Sequence, residues 1–153
     1  MAGKRLAVAV AFSLTLASAG LAQLRPMQMD MSGAADEGIP SYHAYALKPP
    51  IPATLDPKQF PDALSRNVYA LAAKIKPVLY QQPCYCYCDR AMGHKSLHSC
   101  YEGQHAAICS ACLKELYYSY VQTKKGKTPT QIRAGITKGE WKQIDLQTAA
   151  DIN

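Results

Sequence analysis

The sequence lacks a second long apolar run, because its only one, Leu6 to Leu16, lies close to the amino terminus. Even that run is shorter than the roughly 20 apolar residues that cross a bilayer as a helix. A basic pair precedes it, and small residues follow it up to Ala22, which is typical of a secretory signal peptide. We therefore expect residues 1–22 to be cleaved near Ala22, leaving an exported protein, periplasmic or extracellular, with no membrane span.

Phenylalanine and clustered positive charge are also scarce. Two phenylalanines stand against ten tyrosines, and tyrosine suits a small domain with a thin core because its ring packs while its hydroxyl stays hydrated.

The formal net charge is +6, but the basic residues are scattered apart from Lys124, Lys125 and Lys127. Without a basic stripe and interleaved aromatic residues, the sequence argues against nucleic-acid binding.

Two common catalytic motifs are missing as well. The sequence has no phosphate-binding glycine-rich loop. Ser96, His98 and Ser99 lie close together, but no glycine-rich nucleophile elbow surrounds them. The sequence therefore favours a binding protein over an enzyme, and a thiol-based oxidoreductase if it is an enzyme.

Proline divides the chain into unequal parts. Six prolines fall between Pro40 and Pro61, and residues 23–62 are predicted to be an extended or disordered arm, since proline breaks helices and central strands. Residues 63–142 show helical spacing without β-type alternation, and residues 143–153 form a polar tail. The expected fold is mainly α: a small three-helix domain with a loop-rich Cys/His cluster, preceded by the Pro-rich arm.

The first helix is predicted to start at Ser65 or Asn67, either of which can act as its N-cap. Pro77 should kink it, and Pro83 should end it. Its apolar residues follow the 3.6-residue period. They are Val68, Leu71, Ala72, Ile75, Val78 and Leu79.

Two further helices are predicted in the second half of the chain. The second runs from Gln104 to Lys124, ends before Gly126, and has an apolar stripe of Ile108, Cys112, Leu116 and Tyr120. The third begins with a capping box of Thr128 and Gln131 and stops at Gly139. Its inward-facing residues are Ile132, Ile136 and Trp141.

All six cysteines and three of the four histidines fall in one short segment. They are Cys84, Cys86, Cys88, Cys100, Cys109 and Cys112, with His94, His98 and His105. Thiolates and imidazoles together select soft or borderline ions such as copper(I) or zinc. The nine residues are therefore candidate metal ligands. Those favoured most are Cys84, Cys86, Cys88, Cys109 and Cys112.

The remaining candidates rank below these five. His94, His98 and Cys100 come next, and His105 is either a ligand or a residue that orients one.

Two other interpretations stay open. In an oxidising compartment, an even number of cysteines in a small domain also suits three disulfides, which would leave a disulfide-stapled binding module. Alternatively, Cys109 and Cys112 form a redox pair at a helix N-terminus, where the helix dipole lowers a thiol pKa. The redox candidates would then be Cys84, Cys86, Cys88, Cys109 and Cys112.

Several motifs occur in order within roughly residues 50–141. They are Pro83-Cys84-Tyr85-Cys86-Tyr87-Cys88, Gly93-His94-Lys95-Ser96-Leu97, Cys100-Tyr101, His105, Cys109-Ser110-Ala111-Cys112 and Ile132-Arg133. In these motifs the chain resembles the PCYCGC-motif (CYCXC) family of exported bacterial proteins. It departs from that family at Tyr87, where the name motif has glycine, and it lacks the anchor cysteine of the many members that look like lipoproteins. Because some members are selenoproteins with selenocysteine at a motif cysteine, the resemblance implies redox or soft-metal chemistry.

Overall fold

The computed structural model describes residues 38–152, which form helices joined by turns and contain no β-strand. The α-helices are α1 (Ala63–Lys74), α2 (Lys76–Leu79), α3 (Cys88–Met92), α4 (Ser99–Glu102), α5 (Ser110–Lys124), α6 (Pro129–Thr137) and α7 (Leu146–Ala149). Single 3₁₀ turns cover Pro57–Gln59, His105–Ile108 and Glu140–Gln143. Three helices are longer than two turns, so the prediction of a mainly α, three-helix domain is confirmed.

The amino-terminal predictions fall mostly on residues that the structure does not describe. The predicted signal peptide, residues 1–22, and the first part of the predicted arm lie outside residues 38–152. Among the helices within that range, none is both long enough and apolar enough to cross a bilayer.

The start of α1 differs from the prediction, because its cap is Asp62 rather than Ser65 or Asn67. The Asp62 carboxylate accepts a hydrogen bond from the backbone N–H of Ser65 at 2.7 Å. A carboxylate before the first turn satisfies a free N–H group and also complements the helix dipole. The predicted interruption near Pro77 is confirmed: α1 ends at Lys74, and the chain restarts as α2 with Pro77 in its first turn.

The second predicted helix is broken at Cys109. This residue has an extended backbone (φ −114°, ψ 105°), and it separates the 3₁₀ turn His105–Ile108 from α5. The break removes Ile108 from the predicted apolar stripe and leaves it 89% exposed. Cys112, Leu116 and Tyr120 are buried as predicted.

The third predicted helix is confirmed as α6. Thr128 and Gln131 form both hydrogen bonds of the capping box, and Gly139 follows the helix with φ 78°, in the left-handed region that glycine favours. The predicted inward-facing residues are buried. They are Ile132, Ile136 and Trp141.

The core contains tyrosines whose hydroxyls bond to other protein groups rather than to water. Tyr69, Tyr101 and Tyr117 are fully buried side chains. The Tyr69 hydroxyl donates to the carbonyl of Gly103 at 2.6 Å, and the Tyr117 hydroxyl accepts from the Asn67 amide at 3.2 Å. The expectation of hydrated tyrosine tips is therefore wrong for these three residues, because internal partners replace water.

The described part of the arm lies against the cysteine-bearing segment. The backbone N–H and hydroxyl of Ser41 donate to the Asp89 carboxylate at 2.9 and 3.2 Å, and the His43 ring stacks on Tyr80 with ring centroids 3.8 Å apart. At the other end, the predicted polar tail includes α7, whose Ala149 is buried.

Candidate metal centre

The first three cysteines lie on one tight turn. The backbone N–H of Tyr87 donates to the carbonyl of Cys84 at 3.1 Å, and α3 begins at the next residue, Cys88. This turn lets the chain fold back on itself, so that Cys84 and Cys86 bring their sulfurs within 3.3 Å of one another.

Tyr87 has a positive φ of 57°, which is uncommon for a residue with a side chain. The ring contacts offset part of that cost: the Arg90 guanidinium lies 4.4 Å from the Tyr87 ring centroid, and the Tyr87 hydroxyl donates to the carbonyl of Gly38 at 3.3 Å. A glycine at this position would adopt the same backbone conformation without strain.

The other thiols reach this turn from three separate elements. Cys100 lies in α4, Cys109 immediately precedes α5, and Cys112 lies in the first turn of α5. His105 begins the 3₁₀ turn between α4 and α5. The site therefore depends on the packing of these elements and not on one local motif.

The sulfur atoms lie in van der Waals contact or closer. Cys112 Sγ is 3.3 Å from Cys84 Sγ and 3.8 Å from Cys86 Sγ, and Cys88 Sγ is 3.4 Å from Cys100 Sγ. All six cysteines are free thiols. A disulfide bond is about 2.05 Å long, so these pairs are neighbours without being bonded.

Two histidines add nitrogen donors on the same side of the cluster. His105 Nε2 lies 3.5 Å from Cys86 Sγ, and His94 Nδ1 lies 3.4 Å from Cys100 Sγ. Their rings meet edge to face, with centroids 5.4 Å apart. Burial, followed by the charge of His105, lowers the pKa of His94, which favours the neutral imidazole that binds metals.

Two overlapping sets of four side chains have the spacing of a metal site. In each set, the four ligand atoms lie within 4.8 Å of one another. Sulfur ligands of one tetrahedral zinc ion lie about 3.8 Å apart, since each zinc–sulfur bond is about 2.3 Å. We call them the four-thiol set, which is Cys84, Cys86, Cys88 and Cys100, and the mixed set, which is Cys86, Cys100, His105 and Cys112.

The cluster has a buried side and a partly open side. Cys84, Cys88, Cys100 and Cys112 are buried. Cys86 and Cys109 are half-buried, as are both neighbouring histidines. Beyond His105, a groove of about 460 Å³ continues past Met92 and Ile108. Among the cluster's donors, the groove is lined by His105 alone.

The cysteine thiols of the cluster differ in the direction of their pKa shifts. Hydrogen bonding with Cys100, followed by Cys109 and Cys112, lowers the pKa of Cys86 well below its usual range. Hydrogen bonding with Cys100 is also the largest cause that raises the pKa of Cys112. One thiolate is thus stabilised by protonated neighbours, and because adjacent negative charges repel, several thiolates require a cation beside them.

Glu115 supports the turn from α5, and sequence reasoning missed it. Its Oε1 accepts the backbone N–H of Tyr85 at 2.8 Å, between the first two cysteines. Burial raises the pKa of this carboxyl to about 8, although the bond from Tyr85 lowers it. The available signal was a carboxylate three residues after Cys112, on the helix face that also carries Leu116.

Tyr101 is a second supporting residue that sequence reasoning missed. Its buried hydroxyl donates to the carbonyl of Cys112 at 2.8 Å, which fixes the first turn of α5. The pair Cys100-Tyr101 thus places a thiol and a positioning group on the same short helix, α4.

Three predicted ligands, His94, His98 and Cys109, lie outside both sets. His98 is fully buried, and its Nδ1 pairs with Glu102 Oε1 at 2.9 Å. Cys109 borders the cluster: its hydrogen bond with Cys112 lowers its pKa, but the bond with Cys86 and burial outweigh this effect and raise it. The structure therefore brings together five cysteines and His105, with His94 and Cys109 beside them.

Comparison with known proteins identifies a family without a known activity. No curated protein and no solved structure matches the chain. One family, described as a protein of unknown function with PCYCGC motif, matches residues 46–144, which include every residue of the cluster. The chain therefore belongs to the PCYCGC-motif family.

Proposed function

We propose that this protein binds a soft metal ion, copper(I) or zinc, through the cysteine–histidine cluster. The observation that carries the proposal is the pair of four-ligand sets, each with its donor atoms within 4.8 Å of one another. Thiolate and imidazole donors exclude calcium and magnesium, which prefer oxygen ligands. Five thiols and one imidazole are more donors than a structural disulfide requires.

The surroundings of the cluster also support metal binding. Glu115 and Tyr101 hydrogen-bond the backbone next to the ligands, as residues around metal sites commonly do. The half-buried Cys86 and His105 give an ion access from the solvent. The site thus combines buried ligands, whose backbone is held by hydrogen bonds, with ligands that are partly exposed to solvent.

The proposal places the protein outside the cytoplasm, on the sequence of residues 1–22 alone. In an oxidising compartment, neighbouring free thiols tend to form disulfides. A bound ion would keep the thiols apart from oxidants, since it holds each sulfur in coordination. Metal binding thus gives a reason for keeping six thiols within one small domain.

The test is metal retention by protein purified without oxygen, measured by competition with chelators selective for zinc and for copper(I). Cys86→Ser removes a donor shared by both sets, and we expect it to lower affinity by more than about 100-fold, beyond the 10–100-fold loss typical of supporting residues. Ile108→Ser is the matched control, because Ile108 is 89% exposed and neighbours Cys109.

Equal retention by Cys86→Ser and the control would contradict the proposal. A protein mass short of six hydrogens, with no ion bound, would favour the disulfide-stapled binding module instead. The sequence alone predicts that replacing both Cys109 and Cys112 with serine abolishes retention. Because the four-thiol set contains neither residue, we expect this variant instead to keep an ion in that set.

Thiol–disulfide exchange is a second candidate function, favoured by the close sulfur pairs. Cys84 and Cys112 have sulfurs 3.3 Å apart, and the lowered pKa of Cys86 favours an attacking thiolate. Two thiols would form a disulfide and pass two electrons and two protons to a substrate disulfide, releasing two thiols. Reduction of insulin disulfides that is no faster than with free glutathione would contradict this candidate.

A further inference from the structure

We propose that the cluster holds two soft ions, bridged by the thiolates of Cys86 and Cys100. This inference rests on the proposed function, because it concerns the same thiols. One ion would occupy the four-thiol set, and the other would occupy the mixed set. The shared residues Cys86 and Cys100 belong to both.

The first argument is the number of donors. A zinc ion takes four protein ligands in a closed site. An ion in the four-thiol set leaves Cys112 and His105 without a metal, although Cys112 Sγ lies 3.8 Å and His105 Nε2 lies 3.5 Å from the sulfur of the shared Cys86. These two donors already lie beside the shared thiols, where a second ion would complete its coordination.

The second argument is the way in which the two sets overlap. Neither set contains all six donors: Cys84 and Cys88 belong to the first alone, and His105 and Cys112 belong to the second alone. Two tetrahedral ions that share an edge of two ligands have this arrangement. A thiolate sulfur has enough lone pairs to bind two ions at once, which an imidazole nitrogen cannot do.

The third argument is charge. Five thiolates around one divalent ion would leave a large negative charge in a largely buried site, where unpaired charge is costly. Two divalent ions would balance all but one of the five charges. The second ion thus stabilises the thiolates that the first leaves uncompensated.

The two positions should differ in exchange rate. Three of the four residues of the four-thiol set are buried, whereas only two of the mixed set are, because it adds the half-buried His105 to the shared, half-buried Cys86. The ion of the mixed set lies closer to the solvent, and we expect a chelator to remove it first. Stepwise removal would then give a one-ion form before the metal-free form.

The experiment is zinc stoichiometry by native mass spectrometry on the full chain, reconstituted with zinc without oxygen. We expect two zinc ions per chain, one ion in Cys88→Ser, one ion in His105→Ala, and fewer than one in Cys100→Ser. Cadmium-113 NMR of the unmodified protein provides a readout independent of any variant's folding. It should show two resonances, because one ion has four sulfur ligands and the other has three sulfurs and a nitrogen.

One zinc ion per chain and a single cadmium resonance would overturn the two-ion inference and leave the proposed function standing. No bound ion would overturn both. Two ions in the unmodified chain, with neither Cys88→Ser nor His105→Ala losing one, would overturn the assignment of the two sets.

Discussion

The cysteine cluster and the small apolar cluster beside α6 both take residues from α5 and both are packed among apolar side chains, but only the first brings metal-donor atoms together. Tyr118 packs with α6 and Trp141 through ordinary apolar burial. Cys112 also lies in the main apolar core, but there its sulfur contacts the sulfurs of Cys84 and Cys86. Under the proposed function, an ion would stabilise the cysteine cluster in addition to apolar packing, whereas the cluster beside α6 would be stable without one.

Removing the metal should give the largest difference between the two regions, seen in their protection from hydrogen exchange. Structural zinc sites contribute about 10–16 kcal/mol in small domains, so chelation should expose the backbone of residues 84–112 to hydrogen exchange. Residues 129–141 should keep most of their protection, because α6 has its own cap and apolar contacts. Hydrogen-exchange mass spectrometry with and without chelator measures both. An equal loss of protection in the two segments would contradict this division.

Gly135→Ala should damage the apolar region and spare the metal site. A Cβ at this position would lie in collision with the Tyr118 hydroxyl and close to the Glu140 carboxylate, to which Tyr118 donates a hydrogen bond. Forced overpacking of this kind costs about 1–3 kcal/mol. Urea denaturation should show this loss, while zinc affinity stays unchanged. Ala134→Gly, on the exposed face of the same helix, controls for helix propensity.

Glu115→Ala should weaken the metal site and spare the apolar region beside α6. It leaves the partly buried backbone N–H of Tyr85 without its acceptor, next to Cys84 and Cys86. We expect metal affinity to fall by about 10–100-fold, as for other residues that support metal ligands. Glu115→Gln keeps an acceptor oxygen and should restore most of the affinity in a chelator competition. If both variants bind zinc like the unmodified protein, Glu115 has no positioning role.

Substitutions at Tyr87 should change zinc affinity less than the other variants do. Tyr87→Gly keeps the left-handed backbone without strain, so zinc affinity should change less than threefold. Tyr87→Val places a β-branched residue at φ 57°, which costs about 1–2 kcal/mol and should weaken binding by about tenfold. Calorimetric zinc titration of the pair tests this. Identical affinities would show that the turn does not depend on this conformation.

The same two regions show how far sequence reasoning reaches. Thr128, Gln131 and Gly139 were predicted correctly because caps and stops depend on neighbours a few residues away. The break at Cys109 was missed, since apolar spacing continues across it and only the fold of the preceding 3₁₀ turn ends the helix. The cap at Asp62 was missed because Ser65 and Asn67 are also good caps.

Within the cluster, the residue types predicted the chemistry but not the arrangement. The density of thiols and imidazoles already indicated a soft-metal site. Which four donors meet depends on how α4 and α5 pack against the turn of Cys84 and Cys86, and no local pattern encodes that distance. The contact between Glu115 and Tyr85, 30 residues apart, is of the same kind.

The measurement that most directly tests the central claim is X-ray absorption at the metal edge of protein purified without oxygen. The account predicts an ion surrounded mainly by sulfur at about 2.3 Å, with a minor nitrogen contribution from histidine. A shell made only of oxygen and nitrogen, or a protein that takes up neither zinc nor copper(I), would contradict it.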